Sequence, residues 1–122
     1  MKSSLIVLSL LSVSTAAWAD GVLKPMHGGV MAEAPSGLRI ELAADPAGLA
    51  VYLRSHSDKL LASQGVSGDV VLLGAQGKQT AALTPAGDNK LTAALKPQPG
   101  AKALVRVTQP GLPVDQVRLS LP

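Results

Sequence analysis

Glycine, proline and asparagine–aspartate clusters interrupt this chain roughly every eight to twelve residues, the spacing expected between the strands of a sandwich or barrel. The interruptions are Pro35-Ser36-Gly37, Asp45-Pro46-Ala47-Gly48, Gly65-Val66-Ser67-Gly68-Asp69 and Gly74-Ala75-Gln76-Gly77, then Pro85-Ala86-Gly87-Asp88-Asn89, Pro97-Gln98-Pro99-Gly100 and Pro110-Gly111-Leu112-Pro113. Such residues supply fixed or positive φ and local side-chain hydrogen bonds, so they favour turns and stop helices. Ala81-Ala82 would suit a helix, but its flanking breakers leave too little length. Only Ser57 to Gln64 has room for a helical turn.

Between the interruptions lie short segments with a period of two, which places alternate side chains on opposite faces of a strand. Leu38, Ile40 and Leu42 share one face, with Arg39 and Glu41 on the other. Leu49, Val51 and Leu53 alternate with Ala50, Tyr52 and Arg54; Ala103, Val105 and Val107 point inward from Lys102–Val107; Val117, Leu119 and Leu121 alternate with polar residues. Val70-Val71-Leu72-Leu73 is continuously apolar and reads as a central strand. Weaker strands are expected at Gly29–Glu33, Lys78–Leu83 and Lys90–Leu95. The pattern predicts an all-β fold: one antiparallel, immunoglobulin-like β-sandwich of seven or eight short strands.

The amino terminus has a different grammar. Lys2 precedes the apolar run Leu5–Leu11 with Val13, and Ala17-Trp18-Ala19 supplies a small-x-small motif. This is the pattern of a cleavable export signal spanning residues 1–19, with residues 20–122 as the single all-β domain. The run is shorter than the about 20 residues a membrane-spanning helix needs, so no membrane insertion is expected after cleavage. A soluble periplasmic location follows as the expectation. The chain has no cysteine, which removes disulfides, thiolate metal sites and cysteine nucleophiles.

Composition narrows the functions further. The formal net charge is +3, but the basic residues are dispersed, and Tyr52 is the sole aromatic beyond the signal. Nucleic acid is therefore not expected as a partner, and sugar or flavin sites that rely on aromatic platforms are disfavoured. Ser55-His56-Ser57-Asp58 contains triad residue types, but a catalytic triad converges from separate loops, so the segment reads as a polar turn. Gly65-Val66-Ser67-Gly68 lacks the Lys-Ser/Thr and helix of a phosphate loop. No enzymatic activity is expected.

The candidate metal ligands are His27, Met26, Met31 and His56. Thioethers suit Cu(I), whereas imidazole suits Cu(II) or Zn(II), so copper and zinc are the candidate ions. In Pro25-Met26-His27-Gly28-Gly29 a thioether adjoins an imidazole on a glycine-flexible segment; the same glycines also suit tight entrance to a first strand. Residues four apart on a strand lie about 13 Å from one another. His27 and Met31 therefore share an ion only if the glycines fold the chain back. His27 precedes the first strand and His56 follows the third, which places them at opposite ends of the sandwich and not on one ion.

In order, Met26-His27-Gly28-Gly29-Val30, Glu41-Leu42, Val51-Tyr52-Leu53, Gly65-Val66-Ser67-Gly68, Leu72-Leu73 and Leu83-Thr84-Pro85-Ala86-Gly87-Asp88-Asn89 resemble a family of small exported bacterial proteins with a Pro-x-His-Gly-Gly-like opening. The resemblance covers Lys24 to Leu121. Similar His-Gly-Gly segments occur in periplasmic adaptor proteins of heavy-metal efflux pumps, which implies a role near metal handling, with an efflux component or another protein as partner. The chain departs from the pattern where Ser55-His56-Ser57 replaces an Asp-His-Gly turn and Leu119 replaces a closing phenylalanine. A histidine-rich stretch before the Gly-Gly strand is missing. The competing expectation is a metal-free interaction module that docks through a sheet edge or a loop end.

Overall fold

In the computed structural model, residues 23–122 are described. The expected export signal, Met1–Ala19, and the expected new amino terminus at Asp20 lie outside the described residues.

Short alternating segments become nine antiparallel strands: β1 (Val30–Glu33), β2 (Arg39–Asp45), β3 (Gly48–Arg54), β4 (Ser67–Gly74), β5 (Gly77–Ala82), β6 (Thr84–Pro85), β7 (Lys90–Ala93), β8 (Lys102–Thr108) and β9 (Asp115–Ser120). They form a five-stranded sheet, ordered β1-β2-β3-β7-β6, and a four-stranded sheet, ordered β5-β4-β8-β9. Without β1, the orders read A-B-E-D and C′-C-F-G, the Greek-key arrangement of an immunoglobulin-like sandwich. β1 adds an outer strand beside β2. It lies against β9 of the other sheet and closes that side of the sandwich.

The core follows from the alternation. Ile40, Leu42, Leu49, Val51 and Leu53 face Val70, Leu72, Val105 and Val107 between the sheets, all of them fully buried. Each such aliphatic side chain contributes about 1.5–3 kcal/mol relative to exposure. Among the described residues no aromatic side chain enters this core, so its cohesion comes from many aliphatic side chains. β4 is central, as its apolar run predicts, but only Val70 and Leu72 point inward; Leu73 is 52 % exposed.

The β2–β3 turn fixes the register on which the outer face depends. Asp45 pairs with Gly48, and the Ala47 N–H donates to Asp45 Oδ2 at 3.0 Å. Gly48 has φ +126°, a conformation that side-chain-bearing residues rarely adopt. From this turn onward Glu41 must lie opposite Tyr52, and Arg39 opposite Arg54.

Two expectations need correction. Ser57–Gln64 forms no helical turn. Its amides are committed elsewhere: Lys59 N–H donates to Ser55 Oγ, Leu61 N–H to the Leu53 carbonyl and Ser63 N–H to the Asp88 carbonyl. Asp58 adopts φ +71°, which ends any right-handed turn. The strand count rises to nine because Thr84–Pro85, at the start of the Pro85–Asn89 turn cluster, pairs briefly with Thr92 and Leu91.

Candidate functional site

Alternation places Met31 and Glu33 of β1, Arg39 and Glu41 of β2, and Tyr52 and Arg54 of β3 on the outer face of the first sheet. Register aligns them into two rows, Met31–Glu41–Tyr52 and Glu33–Arg39–Arg54. Outer positions of a sandwich usually meet water. Here Arg39, Glu41 and Arg54 are buried, with Glu41 at 0 % exposure; the segment Lys24–Gly29 crosses over Glu41 and Arg54 as a strap, and Arg39 is held between Glu33 and Asp58.

Glu41 holds the strap. Its Oε1 accepts the Met26 N–H at 3.0 Å, and its Oε2 accepts the His27 N–H at 2.8 Å and the Gly29 N–H at 3.1 Å. Gly28, at φ +73°, turns the backbone so that the flanking amides converge on the carboxylate. Such a concave run of N–H groups is a nest that favours an anion. Arg54 supports the arrangement from the other side. Its Nη2 lies 3.9 Å from Glu41 Oε1 and donates to the Lys24 carbonyl at 2.8 Å and to the Met31 sulfur at 3.2 Å.

The charges continue as a chain of alternating sign. Arg54 Nη1 sits 3.2 Å from Asp58, which also receives Arg39 Nη1 at 3.3 Å; Arg39 Nε donates to Glu33 at 2.8 Å. The Arg39 hydrogen bond holds the Glu33 carboxyl below the ordinary carboxylate range, with burial opposing it and His56 adding to it. No buried side-chain nitrogen or oxygen among the described residues lacks a partner. A buried ion network this complete keeps its charges in place because each desolvated group has hydrogen bonds.

The expected metal ligands meet different fates. Met26 is held by its backbone and its side chain is 67 % exposed. The His27 ring stacks on Tyr52, with centroids 3.6 Å apart and planes 11° from parallel. His27 is exposed, and among the described residues neither of its ring nitrogens takes a hydrogen bond within the protein. The glycines do fold the chain back, but they carry His27 over β3, two strands and about 10 Å from Met31 on β1. Met31 instead receives the Arg54 guanidinium. His56 lies apart, its Nδ1 3.1 Å from Glu33, at the end of the sheet. His27 therefore lies over the middle of the sheet, not at the opposite end as the strand order predicts. Among the described residues no three histidine or carboxylate side chains converge on one point.

Sequence reasoning missed the residues that organise the site, Glu41, Arg54 and Tyr52. One signal was present. The Asp45–Gly48 turn sets Arg39 opposite Arg54, and two like charges facing across a strand pair require anions around them.

Compared with family models, curated proteins and solved structures, the chain matches none of them. The chemistry of the site must therefore be read from its own geometry. Its carboxylates are engaged with N–H donors, which suits holding and not proton transfer. What it displays is a thioether and an imidazole on a fixed backbone.

Proposed function

We propose that this is a non-enzymatic, periplasmic binding protein that carries a copper-like metal ion in transit, through Met26 and His27. One observation carries the reading: both backbone amides are pinned to the buried Glu41 carboxylate while both side chains remain outside. A thioether next to an imidazole favours copper, with zinc as the alternative for the imidazole alone. Two protein donors leave a coordination shell open. An open shell suits transfer to a second protein, such as an efflux component, that supplies the remaining ligands.

Native mass spectrometry of the protein with a slight excess of Cu(I), Cu(II) or Zn(II) tests this. A one-to-one copper adduct that disappears in His27→Ala, with Tyr52 fluorescence quenched in parallel, supports the reading. Absence of an adduct from folded protein overturns it.

A metal-free interaction module is the second reading, and the Met31–Arg54 contact favours it. With that sulfur against a guanidinium, a third donor, the second thioether, would have to be released before an ion could use it.

A further inference from the structure

The two outer faces of the sandwich differ in electrostatics. On the first sheet the acids of the outer face have basic partners: Glu33, Asp58 and Glu41 share Arg39 and Arg54, and Asp45 lies 2.8 Å from Lys90. On the second sheet one pair, Asp69–Arg106, is internally matched. Lys78, Lys102 and Arg118 on the same face have no carboxylate within ion-pair distance among the described residues.

Register places these cations around an apolar centre. Leu73 of β4 lies between Lys78 of β5 and Lys102 of β8, and Leu104 of β8 pairs with Arg118 of β9. Lys78 and Lys102 are thus two strand spacings apart, about 10 Å. Leu73, Leu104, Lys102 and Arg118 line a depression of about 460 Å³ on the outer surface. Leu73 is 52 % exposed although it is a large aliphatic in a central strand.

We propose that this face is a docking surface for an acidic protein segment, which lays an apolar side chain on Leu73 and Leu104 and sets carboxylates against Lys102 and Arg118. Three like charges at this spacing, without a carboxylate partner among the described residues, repel one another, and a partner's carboxylates turn that repulsion into attraction. The planar Arg118 fork suits a carboxylate in two-point contact. A lipid surface fits less well, because among the described residues the face has no tryptophan or tyrosine to sit at the headgroup level. Single-stranded nucleic acid fits less well for the same reason, since bases need aromatic platforms. The surface lies on the opposite side of the sandwich from Met26 and His27, and the proposal does not depend on metal binding.

The test is an amide NMR titration of the protein with a synthetic peptide of alternating glutamate and leucine. Its lysine-for-glutamate counterpart and phosphatidylglycerol vesicles are titrated in parallel. The expected result is a set of shifts confined to β4, β8 and β9 around Leu73, Leu104 and Arg118. Binding should weaken roughly tenfold in the double variant Lys102→Glu with Arg118→Glu, and should weaken with added salt. Both positions are exposed, and the same spectra report whether the variant is folded; Arg118→Gln gives a charge-removal variant with less perturbation. Shifts elsewhere, no shifts, undiminished binding by the folded variants, or equal binding of the lysine peptide would each overturn the proposal. Response to the vesicles alone would overturn it in favour of a membrane surface.

Discussion

The Glu41 carboxylate lies 3.9 Å from the Arg54 guanidinium, and the three strap N–H groups are closer to it than that cation is. Both side chains are almost wholly removed from water. Desolvating two such ions costs several kcal/mol each, and a pair at this distance recovers only part of it. The strap amides supply the remainder. The ion pair and the strap are therefore mutually dependent, and the position of His27 is a consequence of the Glu41 charge, which lies directly opposite Met31 on the neighbouring strand.

Glu41→Gln should lower stability by about 3 kcal/mol, because an amide offers one acceptor oxygen where three N–H groups converge and leaves Arg54 short of its counter-ion. Urea unfolding measures the loss. Hydrogen exchange at the Met26, His27 and Gly29 amides should accelerate more than exchange in β8. A loss under about 1 kcal/mol, with strap amides still protected, would mean that the carboxylate does not hold the strap.

The two glycines of the strap should respond differently. A Cβ at Gly29 would run into the Leu42 carbonyl and come within 2.9 Å of the Ala43 Cβ, so β1 would have to move off β2. Gly28 has open space around it and only its φ of +73° to protect. Gly28→Ala should cost about 1–2 kcal/mol, the ordinary penalty of the left-handed region. Gly29→Ala should cost more, upward of about 2 kcal/mol. Denaturant midpoints of the two variants decide the order, and the reverse order would contradict the close approach of Gly29 to β2.

Much of the fold was legible because it rests on local signals. Period-two alternation found the inward faces of β2, β3, β8 and β9, and the Gly/Pro clusters found the turns between them. The site was less legible. Arg39 and Glu41 were assigned to the correct face, but burial on that face depends on a strap that no periodicity announces. His27 reaches Tyr52 through a glycine turn and three amide contacts to a residue fourteen positions away from it, which is tertiary information. Ser57–Gln64 was misread for a related reason: its backbone partners, Leu53 and Asp88, lie on other elements.

The His27–Tyr52 stack makes a spectroscopic prediction. At a centroid separation of 3.6 Å the His27 ring protons lie in the shielding region of the phenol ring. Tyr52→Leu should move those protons downfield in NMR spectra and cost about 1 kcal/mol. Tyr52→Phe keeps the ring face and should leave both quantities close to the parent values. Unchanged His27 shifts in Tyr52→Leu would show that the ring does not rest on Tyr52 in solution.

Two outer-face ion pairs should give stability opposite slopes at the ends of the pH scale. The Arg39 hydrogen bond depresses Glu33, and Lys90, aided by the Ala47 N–H, depresses Asp45. A depressed carboxyl contributes stability that is complete above its unfolded value, roughly pH 4, and is lost as pH falls through the lower folded value. Lys90 has the reverse sign. Asp45 raises it, so its contribution is complete below the ordinary lysine value, about 10.4, and is lost as pH rises through the folded value. The urea midpoint should therefore be highest at about pH 5–8 and decline at both ends. Glu33→Gln should flatten only the acid side, whereas Asp45→Asn should flatten the acid side and the alkaline side together. Parallel profiles for the parent and both variants would show that these pairs are equally formed in the unfolded chain and contribute nothing to folding.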